Sequence, residues 1–173
     1  MRAHAIAAIT FAAASLAACG GEGSPDASLT EALATSAAAV SQDATLCVLN
    51  TELSPENEVR TAANTTDPTV ESTARGHAQV KVRADGTIEY KVFVLNQDGE
   101  TFTAGHIHGA PAGTNGPVVQ NLFVGSTFDD EQFVQHDEVS NPALAADLCA
   151  DPSAYYVNYH TTQDPVGAIR GQL

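Results

Sequence analysis

The chain has no tryptophan, a single methionine, and only seven lysines and arginines against twenty-one aspartates and glutamates, for a formal net charge of −14. That deficit of positive charge excludes nucleic acid and electrostatic adsorption to anionic lipid, both of which require basic patches. Also missing are a Gly-x-Ser-x-Gly elbow, a phosphate-binding glycine loop and a cysteine beside a histidine in a catalytic pattern. No catalytic residue is therefore assigned, and an enzyme is the less favoured reading. The apolar run near the start, "AIAAITFAAASL", is uncharged but well short of the roughly 20 residues that cross a bilayer as a helix.

That run follows Met1-Arg2 and ends in Leu16-Ala17-Ala18-Cys19. A short positive start, an apolar segment and small residues are the layout of an export signal that is later removed. The ending "LAAC" resembles a bacterial lipobox, which implies cleavage before Cys19 and acylation of its thiol; the alternative is an ordinary secretory signal in which Cys19 is incidental. Several acyl chains hold a protein durably at a membrane, since each buried methylene contributes about 0.8 kcal/mol. Gly20 rather than Asp follows the cysteine, so in a Gram-negative cell the sorting pattern implies the outer membrane. The expected organisation is residues 1–18 as signal peptide, 19–44 as acylated Cys19 and a Gly/Ser/Ala-rich tether, and 45–173 as one domain of the cell envelope. Within the tether, Ser28-Leu29-Thr30-Glu31 has capping-box spacing and predicts a short helix.

With Cys19 assigned to lipid, Cys47 and Cys149 remain, an even number in an oxidising compartment. A disulfide between them is expected, against the alternative of two buried free thiols.

From Leu46 onward the pattern is β. In "HAQVKVRADGTIEYKVFVL", Ala78, Val80 and Val82 alternate with Gln79, Lys81 and Arg83, then Ile88, Tyr90, Val92 and Val94 continue on one face after the Asp85-Gly86 turn. Further strands are expected near Leu46–Leu53, Phe102–His108, Val118–Val124, Gln132–Val139, Tyr155–Thr161 and Ala168–Leu173. Gly, Pro, Asn and Asp punctuate them. The fold class expected is all-β, a single antiparallel sandwich or barrel-like domain of short strands. "NPALAADLC" supplies its one short helix, with Asn141 as cap and Pro142 at the first position. The acids Asp129 to Glu131 lack the spaced ligands of a calcium loop and read as a solvated turn.

Chemistry concentrates at "GHIHGAPAGTNGP", residues 105–117. Residues two apart in a strand share a face, so His106 and His108 lie side by side while Ile107 turns to the core. In "YYVNYHTT", Tyr156, Asn158 and His160 share a face in the same way. If the two strands are neighbours, three imidazoles converge, and neutral imidazole suits zinc or copper with a fourth position left open. The competing reading is a structural network in which these histidines hydrogen-bond the carbonyls of a glycine- and proline-rich turn. His77 and His136 fall on solvent-facing positions and stay outside the site.

"GHIHGAPAGTNGPVV", "YYVNYHT" and a terminal "GAIRGQL", preceded by "LNTELSPENEVRT", closely resemble in order and spacing the CHRD domain, named for chordin. The resemblance spans roughly Leu46 to Leu173. It implies a compact extracellular β-sandwich with no established enzymatic activity. The family motifs map onto His106, His108, Asn158, His160 and Arg170, giving a candidate metal set of His106, His108 and His160, with Asn158, Tyr156 and Arg170 as second-layer or structural residues. One departure stands out: the family usually ends Gly-Glu-Ile-Arg-Gly-Gln, whereas Ala168 replaces that Glu here, so a carboxylate that could ligate or orient is missing. Two functions follow as expectations: a binding module holding copper or zinc, or a structural and adhesive envelope domain that binds a protein or glycan.

Overall fold

The computed structural model describes residues 43–61 and 69–173. The signal peptide, Cys19, the tether and its capping-box helix lie outside the described residues. Among these residues eight strands form: β1 (Thr45–Leu53), β2 (Arg75–Arg83), β3 (Thr87–Leu95), β4 (Phe102–Gly109), β5 (Val118–Phe128), β6 (Gln132–Ser140), β7 (Tyr155–Thr161) and β8 (Ile169–Gln172). One α-helix among the described residues, α1 (Pro142–Ala150), lies between β6 and β7.

The strands divide into two antiparallel sheets of order β1-β2-β3-β6 and β5-β4-β7-β8. This is a β-sandwich and not a closed barrel: the sheets approach along β1 and β8, joined by the Ser54–Arg170 bridge just beyond β1. The period-2 alternation explains the core. Ala78, Val80 and Val82 on β2 and Ile88, Tyr90, Val92 and Val94 on β3 are all buried against Phe102, Ile107, Val157, Tyr159 and Ile169 of the second sheet. Each large apolar side chain so buried contributes about 1.5–3 kcal/mol. Phe102 meets Phe133 edge-to-face at 5.4 Å across the sandwich, and the Tyr90 hydroxyl donates to the Leu122 carbonyl at 2.5 Å, which ties the layers together.

The Asp85-Gly86 turn forms as the sequence predicts, with Gly86 at φ 85°. A Cβ there would sit 2.6 Å from Pro142, so the turn also makes room for the start of α1. Asn141 caps that helix, its side-chain oxygen accepting from the Leu144 amide at 3.3 Å. Leu144, Ala145 and Leu148 face the core, and the Cys47–Cys149 disulfide fastens the last turn of α1 to edge strand β1. Asp129, Asp130 and Glu131 are exposed between β5 and β6, as expected of a solvated turn. β5 differs from expectation by running four residues further, to Phe128. It keeps pairing with β4 through several register shifts, and Gly125 at φ 79° absorbs the irregularity.

Candidate metal site on the second sheet

β4 lies between β5 and β7, and β7 between β4 and β8. The register sets His106 opposite Asn158, which is opposite Arg170, and sets His108 opposite Tyr156, which is opposite Gln172. Residues paired across strands share a face, so these six lie on the outer side of the sheet while Ile107, Val157 and Gly171 form the row between them. His160 pairs with Ala104, one step further along the same face.

An outer face is ordinarily wet, yet every residue of β7 from Tyr156 to Thr161 is buried. Three segments cover it. The stretch Ser54 to Arg60 crosses over β8, with Asn57 donating to the Arg170 carbonyl at 3.1 Å. The turn at residues 110–117 folds back, and Asn115 donates to the Val59 carbonyl at 2.7 Å. The β7–β8 loop closes the third side, where Asp164 pairs with Arg60 and accepts from the Ser72 amide at 2.9 Å.

Beneath this cover the three imidazoles converge. His106 Nδ1 is 3.0 Å from His160 Nε2, and one ligand nitrogen from each of His106, His108 and His160 lies within 4.8 Å of the others. An ion holding tetrahedral nitrogens at about 2.0–2.1 Å sets them about 3.4 Å apart. At 3.0 Å the His106–His160 pair is hydrogen-bonded, so chelation requires that this bond be given up and that the three nitrogens, which lie within 4.8 Å of one another, be drawn to the ligand separation. The remaining nitrogens orient the rings. His160 Nδ1 donates to the Pro165 carbonyl at 3.1 Å and His108 Nδ1 to the Gly116 carbonyl at 3.0 Å, which fixes both as tautomers with a lone pair on Nε2. His108 Nε2 is buried with no hydrogen-bond partner.

Burial holds all three imidazoles neutral. Desolvation lowers the pKa of His106 and His108, helped by the neighbouring His108 for the first and Arg170 for the second. His160, the most enclosed, is pushed down to about 4 by desolvation first and then by His106 and His108. Neutral imidazole is the form a metal requires.

The second-layer residues fall where the motifs indicate. Tyr156 stacks on His108, with ring centroids 4.8 Å apart and planes 8° from parallel, and its hydroxyl accepts from the Gly116 amide at 3.2 Å. The Arg170 guanidinium carbon sits 3.4 Å from the centre of the Tyr156 ring. Arg170 also donates to the Thr114 carbonyl at 2.9 Å and to Asn115 Oδ1 at 3.1 Å, so it clamps the turn that orients His108. Asn158 is 2% exposed and donates to Glu58 at 3.5 Å. His77 is half-buried and His136 exposed, and they pair with Glu52 and Glu89 respectively, outside the site.

This arrangement unites the motifs of one family. The chain belongs to the CHRD domain family. Its family model matches residues 49–173. No curated protein and no solved structure matches the chain. In this CHRD domain Ala168 is fully buried and supplies no carboxylate to the site. The residues that sequence reasoning missed are Glu58, Arg60 and Asp164. "ENEVR" was legible as the opening of the family, but no local pattern showed that it folds over β7, a hundred residues away.

Proposed function

We propose that this CHRD domain is an exported, lipid-anchored envelope module that binds a divalent copper or zinc ion through His106, His108 and His160. The observation that carries the reading is the pairing of a 3.0 Å His106–His160 nitrogen contact with the buried, unpartnered Nε2 of His108. Two of the rings have their second nitrogen committed to a carbonyl, and all three are held neutral, a donor set preorganised for a cation. Imidazole nitrogens suit copper and zinc, and a fourth position remains for water or a ligand. The ion would supply Lewis acidity or be held as cargo; the chain's own residues bind it, orient the rings and shield them from bulk water.

Titrating apo protein with Cu²⁺ and with Zn²⁺ in a calorimeter tests this. Binding heat is expected from the wild type and none from His106→Ala/His108→Ala; unchanged heats in the double variant would refute it. Because the imidazole pKa values are depressed, binding is expected to persist somewhat below pH 6.5 and to fail as the rings finally protonate, with His160 the last.

The lipid anchor rests on Leu16-Ala17-Ala18-Cys19. Incorporation of a labelled fatty acid in a bacterial host, lost on Cys19→Ser, is the expected result, and labelling that survives the substitution would remove the anchor.

A second reading, a structural or adhesive domain meeting a protein or glycan, draws on the hydrogen bonds from His108 and His160 to loop carbonyls. It predicts that the same double variant melts lower than wild type in excess chelator. Equal melting temperatures there would leave that reading without support.

A further inference from the structure

Three neutral imidazoles bring no negative charge to a divalent ion, and the flanking side chains add positive charge. Arg170 acts on His108 and Arg60 on His160, each opposing a proton on the ring. A dication there needs an anion nearby. Two carboxylates stand close to these arginines. Asp164 has its oxygens engaged by Arg60 and by the amides of Glu71 and Ser72. Glu58 is different: its Oε2 accepts weakly from Asn158 at 3.5 Å, while Oε1 is buried without a partner.

The backbone makes a place for this carboxylate. Gly167 adopts φ 140°, and a Cβ at that position would lie 2.4 Å from Glu58 Oε2. Glu58 thus rests on the residue immediately before Ala168. Beneath it is Asn158, whose own Oδ1 is also buried and unpartnered, and which lies directly across the strand pair from His106. Glu58 Oε1 and Asn158 Oδ1 are thus both buried acceptors without a hydrogen-bond partner, each open to a proton donor.

We propose that Glu58 is the charge-compensating carboxylate of the histidine site, acting through Asn158. This rests on the metal-binding reading above. Glu58 is a positioning and charge-balancing residue, not one of the ligands. Without the ion, burial favours its neutral form against the pull of Arg170 and Arg60, with Asp164 opposing them, and holds its pKa at about 7. With the ion bound, the added positive charge favours the carboxylate, so metal uptake near neutral pH expels the Glu58 proton. The tie is reciprocal: raising the pH from 6.5 to 8 ionises Glu58 in the apo protein and tightens metal binding.

The test is zinc binding by the full chain across pH 6.5 to 8, for wild type and Glu58→Gln. Wild-type affinity is expected to climb with pH, and Glu58→Gln to bind about 10- to 100-fold more weakly at pH 8 with a flatter pH profile. Equal affinities and parallel profiles would overturn the proposal. Should the variant fold poorly, infrared difference spectra of the wild type decide. The C=O stretch of a protonated carboxyl should disappear when Zn²⁺ is added at pH 7, and a band that survives zinc saturation would overturn the proposal. Zinc that binds without these signatures removes only the role of Glu58, whereas zinc that fails to bind the wild type removes the site itself.

Discussion

Reduction of the Cys47–Cys149 disulfide is expected to lower folding stability by about 4–5 kcal/mol, enough to unfold a marginal domain at 37 °C. The two cysteines are 102 residues apart, so the bridge closes a loop holding β2 through β6 and most of α1. In the chain-entropy account a loop that long removes much of the unfolded chain's freedom. The folded state also depends on the bridge locally. β1 is the edge strand of its sheet and much of its outer face is exposed, with Leu46 and Val48 about half accessible, so packing alone holds it loosely. Urea unfolding of the Cys47→Ala/Cys149→Ala variant, compared with wild type, measures the effect. A loss below about 1 kcal/mol would mean that the sandwich core suffices without the bridge.

Acid is the second large lever. In the folded apo protein His160 holds its neutral form down to about pH 4, whereas in the unfolded chain it takes up a proton near 6.5. The unfolded state therefore binds more protons between those values, and stability rises with pH there. The contribution is fully present above about 6.5 and is lost as pH falls toward 4. For a shift from 6.5 to about 4 it amounts to about 3 kcal/mol from His160 alone, and His106 and His108 add in the same direction. Glu58 works with the opposite sign. Its raised pKa makes the neutral form favourable at low pH, and that benefit fades as pH rises from the unfolded value near 4.5 through about 7. Urea midpoints of apo protein at pH 4.5, 5.5 and 7 should fall on the acid side, and His160→Asn should flatten that fall. Saturating zinc should steepen it, because acid then also displaces the ion. A variant as acid-sensitive as wild type would show that the triad is not held neutral by the fold.

The strands that the sequence resolves best are those whose two faces differ most. β2 and β3 carry branched and aromatic residues inward and charged residues outward, and a glycine turn between them with one workable backbone, so register and turn are both legible. β4 and β7 are legible for a different reason: the same spacing that sends Ile107 and Val157 to the core leaves His106, His108, Asn158 and His160 on the other side. The pattern left the adjacency of these two strands as a condition for the histidines to converge, and the β4–β7 register meets it. The choice between sandwich and barrel was beyond the pattern, since strand alternation is the same whether the edges of β1 and β8 join fully or touch at a single bridge.

The burial of the outer face was the larger omission. Strand periodicity assigns one face to the core and the other to water, but β7 is covered on both sides. The cover is made by irregular segments whose partners are remote in sequence: Glu58 on Asn158, Arg60 on Asp164, Asn115 on Val59. Such contacts leave no periodic trace. Their effect on chemistry is nonetheless decisive, because desolvation by these segments is the main cause of the lowered imidazole pKa values and of the raised pKa at Glu58. Ala168 had suggested a site without any carboxylate. The fold sets the Glu58 carboxylate, from the other end of the domain, against the neighbouring Gly167.

In the proposed function His106, His108 and His160 act together as one set of ligands. X-ray absorption at the metal edge of the zinc- or copper-loaded full chain tests it most directly. Three imidazole nitrogens bonded to the ion at about 2.0–2.1 Å are expected, reduced to two in His160→Ala. A shell made only of oxygen, or one unchanged by that substitution, would contradict it.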